Sequence, residues 1–209
     1  MSFTRRVHLF IRVLFLTALM WLSTSAHASH NSFQSEEKTW HTSISLGGFT
    51  VDPSLFNEGI GERGFGIDLS VGYRFNPHFI GVLGLGFANF DDQNSFSQQV
   101  VGQFGGPVSR QSSDVVAIPL FAEAQYEGAL SIVDNLHYRL GAGYTTLTLA
   151  ERSISNCVDC STDEVNINGG AYLAGSLLMR NLGKIDFGVA LKQYVSGDLE
   201  NALSIWIEY

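Results

Sequence analysis

Basic residues, cysteines, prolines and long apolar runs are all scarce in this chain. Its 209 residues include twelve Lys+Arg, two cysteines and four prolines. Twenty Asp+Glu set a formal net charge of −8. With no basic patch to offset it, an acidic chain is a poor partner for nucleic acid. Two cysteines cannot complete a four-ligand zinc site. Beyond residue 22 no apolar stretch approaches the ~20 residues that a membrane-spanning helix needs.

The one apolar run, Val13–Leu22, stands at the start of the chain. It follows Arg5, Arg6 and Arg12 and leads through small and polar residues to Ala26-His27-Ala28. A basic region, a short apolar core and an A-x-A site predict a secretory signal peptide over residues 1–28. The mature chain is then expected to begin near Ser29, exported by the general secretory route. Removing those three arginines leaves nine basic against twenty acidic residues, a formal charge of −11. In an exported chain, Cys157 and Cys160 are expected to form a local disulfide within one polar loop. The competing reading of their C-x-x-C spacing, a redox site, needs a helix start beside a βαβ unit, and none is visible.

What the chain has in quantity is alternation. Leu203, Ile205, Ile207 and Tyr209 share one strand face, with Ala202, Ser204, Trp206 and Glu208 on the other. Ile185, Phe187, Val189 and Leu191 likewise oppose Asp186, Gly188, Ala190 and Lys192. The same period of two runs through Ile167–Arg180, Leu136–Thr145, Val116–Tyr126, Ile67–Phe75 and Trp40–Val51, while Phe79–Phe90 is fairly apolar on both faces. Pro119 interrupts one of these segments, because it removes a ladder donor, and a bulge is expected there. Eight strands result, each long enough for a tilted membrane strand of about 9–11 residues. The connections between them alternate in length. Longer loops at 52–62, 91–113, 152–165 and 196–200 exchange with turns at 76–78, 127–135 and 181–184.

Three features favour a lipid-facing wall over a soluble barrel. One face holds Asp68, Arg74, Glu123, Arg139, Asp186, Lys192 and Glu208 among glycine and serine. Both signs of charge suit a narrow lumen filled by paired side chains. The opposite face is nearly free of charge, as lipid demands. Trp40, Phe75, Phe79, Tyr126, Tyr138 and Tyr209 fall at strand ends that this topology puts at one rim, where an aromatic girdle meets the headgroups. The chain ends on Leu203, Ile205, Ile207 and Tyr209, alternate apolar residues closed by an aromatic.

The fold class predicted is therefore all-β: a closed, antiparallel, up-and-down transmembrane β-barrel of about eight strands. In strand count, loop asymmetry and C-terminal pattern, Trp40–Tyr209 resembles the OmpA/OmpX-type outer-membrane β-barrel domains of Gram-negative bacteria. The resemblance implies insertion by the barrel-assembly machinery, with Leu203, Ile205, Ile207 and Tyr209 as the assembly signal. It also implies contact with outer-membrane lipid and lipopolysaccharide. No peptidoglycan-binding domain is expected after the barrel. The lipid A deacylases of similar size carry a His-x-Ser pair, whereas His78 and His137 are followed two residues on by Ile80 and Arg139. No catalytic residue, cofactor or protein-bound metal is expected. Acidic loop residues Asp52, Glu58, Asp91, Asp92, Asp159, Asp163, Glu164, Asp198 and Glu200 suggest cation bridges to lipopolysaccharide phosphates. Membrane integrity, adhesion or host contact through the loops is the expected role. A narrow channel or a carrier of small apolar molecules is the alternative, and a soluble periplasmic ligand-binding barrel stands third.

Overall fold

The computed structural model describes residues 40–92, 98–101, 107–110, 113–130, 135–154, 163–182 and 185–209. The expected signal segment and both cysteines lie outside the described residues.

Eight long strands close on themselves. These are β1 (Trp40–Val51), β2 (Ile60–Arg74), β3 (Phe79–Asp92), β6 (Ser113–Ala129), β7 (Leu136–Ile154), β9 (Gly170–Leu182), β10 (Ile185–Tyr194) and β11 (Leu199–Glu208). Each pairs antiparallel with the next in chain order, and β1 pairs β11 to seal the ring. At that seam Thr42 and Tyr209 exchange both backbone bonds, at 3.1 and 2.9 Å. Closure leaves no edge strand to offer unpaired amides to lipid. The long connection after β3 carries a separate hairpin of β4 (Gln98–Val101) and β5 (Pro107–Arg110), and β8 (Asp163–Glu164) adds a short pairing to the end of β7.

Side-chain parity sorts the wall. Outward positions of the eight strands read Trp40–Gly48, Phe65–Phe75, Phe79–Phe87, Ile118–Tyr126, Tyr138–Thr148, Ala171–Met179, Ile185–Leu191 and Leu203–Tyr209, and none of those outward residues is charged. Leu83 is 68% exposed and Leu140, Leu173 and Leu203 nearly as much, which a water-facing wall would not tolerate in such number. Charged and amide-bearing outward residues begin together at one end, at Arg63, Asn89, Glu151, Gln193 and Asn201. A band of roughly nine residues per strand matches a tilted crossing of the hydrocarbon core.

The turns differ from expectation in detail. Asn76 closes the β2–β3 turn by accepting the amides of His78 (2.9 Å) and Phe79 (3.0 Å) on its side chain. The segment 52–62, expected as an open loop, holds a short 3-10 turn, Pro53–Glu58, and β2 already begins at Ile60. The strand expected to start at Ile167 starts at Gly170. Pro119 itself stays in register with Leu147, and the bulge lies beside it, where Ala117 opposes both Leu149 and Ala150.

Candidate functional site: a lumen closed at both ends

Inward side chains divide the lumen into three levels. At the end of the short turns, Glu127 of β6 collects cations. Its carboxylate accepts Arg139 Nε at 2.8 Å and Arg74 Nη2 at 3.0 Å, and pairs with Arg180 as well. His137 Nδ1 stands 3.3 Å from the same group. Glu208 of β11 takes the rest of Arg139 in a bidentate pair, Nη1 at 2.7 Å and Nη2 at 2.8 Å, with His41 Nε2 3.5 Å away. The Arg139 guanidinium also lies 5.0 Å from the ring centre of Trp206. Arg139 and Glu127 are 4% and 3% exposed, so these charges are withdrawn from bulk water and depend on one another. Asp186 faces the lumen beside this group, in ladder register with Glu208.

The middle level is polar without direct ion pairs among the described residues. Glu123 accepts Gln125 Nε2 (2.9 Å) and the Tyr172 hydroxyl (2.8 Å). Asp68 accepts the Ser45 hydroxyl at 3.2 Å, and Ser43 and Ser70 share a 2.6 Å bond. Lys192 places its ammonium over the rings of Phe121 (4.4 Å) and Tyr172 (4.8 Å). A cavity of about 70 Å³ lies among these groups.

Towards the long loops the lumen turns apolar. Val51, Ile60 and Val115 are fully buried, and Phe90, Ala117 and Leu199 nearly so. Leu55 of the 3-10 turn folds inward to meet them, together with Val165 and Ile167 from the segment before β9. The rings of Phe49 and Phe90 meet edge to face at 5.0 Å. A second cavity, about 60 Å³, separates this cluster from Lys192 and Asp68.

Of the seven lumen charges expected from the sequence, all point inward, and Arg139 and Glu208 meet directly. Arg74 reaches Glu127, which the sequence reading assigned to a turn. Asp68, Glu123 and Lys192 take hydroxyl, amide and aromatic partners instead of salt bridges. Sequence reasoning missed Glu127, Arg180, His41 and His137 as members of the network. Glu127 shares the parity of Glu123, so carrying the alternation into the 127–135 turn would have found it; Arg180 already shared the parity of Ser176 on its strand and was not counted among the lumen charges.

The rim at the turn end carries an arc of rings. Trp40 packs on Tyr73 (4.7 Å), Tyr73 on Phe75 (4.9 Å), Phe79 on Tyr126 (5.4 Å) and Tyr126 on Tyr138 (6.4 Å). The arc spans β1, β2, β3, β6 and β7. Two acidic loop residues are held locally. Asp52 caps the 3-10 turn through the Ser54 amide at 2.7 Å, and Asp198 holds the Asn168 amide at 2.6 Å. Glu164 pairs in register with Glu151, so two acids face one another beside the loops. The side chains of Glu58, Asp92, Asp159 and Asp163 lie outside the described set.

A closed eight-strand ring, an uncharged outer wall and a filled lumen define the class: a small antiparallel up-and-down β-barrel with an apolar outer band. Among solved structures, the Neisserial surface protein A is similar at 14% identity over 82% of this chain and 96% of that one, with a TM-score of 0.49. The attachment invasion locus protein Ail of Yersinia pestis, in complex with the heparin analogue sucrose octasulfate, matches at 12% identity over 81% and 99%, TM-score 0.43. A de novo designed transmembrane β-barrel matches at 11% over 84% and 98%, TM-score 0.40. No family model matches the chain, and no curated protein matches it.

Proposed function

We propose that this protein is an outer-membrane barrel with a sealed lumen, whose work is structural and interactive and is done by the loops at its outer end. The supporting observation is double closure. A buried ionic network blocks the turn end, and an apolar cluster with inward-folded loop residues blocks the other. Water-filled porin channels need about sixteen strands, and an eight-strand interior is filled by its own side chains. Loops rooted on such a core are rigidly based: Asp198 ties the β10–β11 connection to Asn168, and its carbonyl accepts the Asp52 amide at 2.8 Å.

In this reading the turns and the aromatic arc face the periplasm, and the long loops face outward. The barrel-assembly machinery inserts the chain through Leu203, Ile205, Ile207 and Tyr209, and lipopolysaccharide surrounds the outer rim. The test is extraction and gel mobility. A detergent-extracted barrel is expected to migrate differently before and after boiling and to fractionate with outer membranes. Release into the soluble fraction with no mobility shift would overturn the proposal. Insertion with stable conductance would favour the channel reading instead.

A further inference from the structure

We propose that the wall around Pro119 is a lateral port, through which the end of an acyl chain from the surrounding lipid enters the upper lumen cavity. The inference rests on the membrane-barrel reading and goes beyond it by assigning a ligand and a way in.

Three observations meet at one place. First, the β3–β6 ladder is interrupted. It runs from Phe79↔Tyr126 to Leu85↔Leu120, skips two positions, and resumes at Ala88↔Ala117. Pro119 stands at the skip and has no N–H, so the facing position of β3 is one donor short. Second, the other side of the same segment is loosened by the bulge of β7. There Leu149 holds φ at 53°, a left-handed backbone that leucine seldom adopts. One displaced carbonyl, that of Ile118, is satisfied by the Thr148 hydroxyl at 3.0 Å. Within three residues the wall is thus irregular on both sides, at Ile118 and Pro119 toward β3 and at Ala117 toward β7.

Third, this irregular place lies between lipid and a hole. Ile118 and Leu120 point outward within the uncharged band, with Leu120 40% exposed. Directly inside is the 60 Å³ cavity, walled by Phe49, Phe90, Leu147 and Tyr194 as well as Pro119 itself. The cavity matches about two waters' share of liquid volume. That is room for the last carbons of a chain whose remainder stays in the bilayer, and too little for a whole ligand. Its lining is mostly apolar, with Asp68, Thr145, Lys192 and Ser204 as its polar part, which favours hydrocarbon at the Phe49, Phe90 and Leu147 side.

Photolabelling tests this. The protein is reconstituted in phosphatidylcholine vesicles that include a phospholipid with a diazirine at the acyl terminus, irradiated, and mapped by mass spectrometry. Lumen residues Phe90, Leu147 and Tyr194 are expected to carry label alongside the outward Leu83. Pro119→Ala restores a ladder donor and should lose the lumen label while keeping that at Leu83. Ala202→Leu fills the cavity from β11 without touching the wall and should lose it too. Folding of both variants is checked by the mobility shift on boiling. Label confined to outward residues in the inserted wild-type protein overturns the port, and so does lumen label unchanged in either folded variant. Failure to insert overturns the membrane reading itself, together with the port.

Discussion

Arg139 and Glu208, 69 residues apart in the chain, grip each other through two parallel hydrogen bonds across the barrel lumen. Glu208 is the next-to-last residue, on the strand whose pairing with β1 closes the ring. Arg139 holds Glu127 with its remaining nitrogen. One guanidinium therefore links β6, β7 and β11, and its pairing is complete only in the closed barrel.

Removing one side of that grip strands the other. Glu208→Ala leaves Arg139 buried with a single carboxylate, an arrangement that costs about 3–5 kcal/mol in comparable buried pairs. Urea unfolding in detergent micelles should show that loss. The double variant Arg139→Met/Glu208→Leu should be less destabilised than the sum of its two single changes, because neither member of the pair is left buried without the other.

The wall gives a test that separates lipid from water. Leu83→Arg puts a charge at an outward position in mid-band, and Asn89→Arg puts the same charge on the same face of β3 near its outer end. A lipid-facing wall predicts a loss of about 2–4 kcal/mol for the first and little for the second in vesicle folding titrations. A soluble barrel would treat the two alike.

Gly197 sits at φ 86°, and an added Cβ would meet the Gly169 carbonyl oxygen. Gly197→Ala should therefore destabilise the β10–β11 connection by about 1–3 kcal/mol. Gly48 is the contrast: its nearest neighbour to an added Cβ is the Gly64 oxygen at 3.6 Å. Gly48→Ala is expected to leave the urea midpoint unchanged or slightly raised.

Asp52 offers a pH handle outside the membrane band. Bonds from the Ser54 hydroxyl and amide hold its carboxyl below the usual carboxylate range. A depressed carboxyl stabilises the fold above its unfolded pKa and loses that contribution as pH falls through the folded value. The Ser54 amide shift, followed by NMR, should titrate with a midpoint below that of a free aspartate, and Asp52→Asn should abolish the titration.

Much of the barrel was legible in the sequence, because a half-lipid, half-lumen strand must alternate. β1 occupies Trp40–Val51 as the pattern implies. The pattern fades where both sides of the wall are apolar, and there the reading was thinnest. Phe49, Phe90, Val115 and Leu147 point inward into an apolar cluster that alternation could not distinguish from the lipid face. The bulge at Leu149 was displaced from the expected site because Pro119 marks a missing donor, and the extra residue that absorbs the misfit sits on the neighbouring strand. Glu127 was lost to a turn boundary that β6 overruns.

Single-channel recording in a planar bilayer tests double closure most directly, with protein first shown to be folded by its mobility shift. No stable openings are expected from the wild type. None are expected from Arg139→Ala either, since the apolar end remains shut when the ionic end is broken. Discrete, sustained openings from the wild-type protein would contradict a sealed lumen.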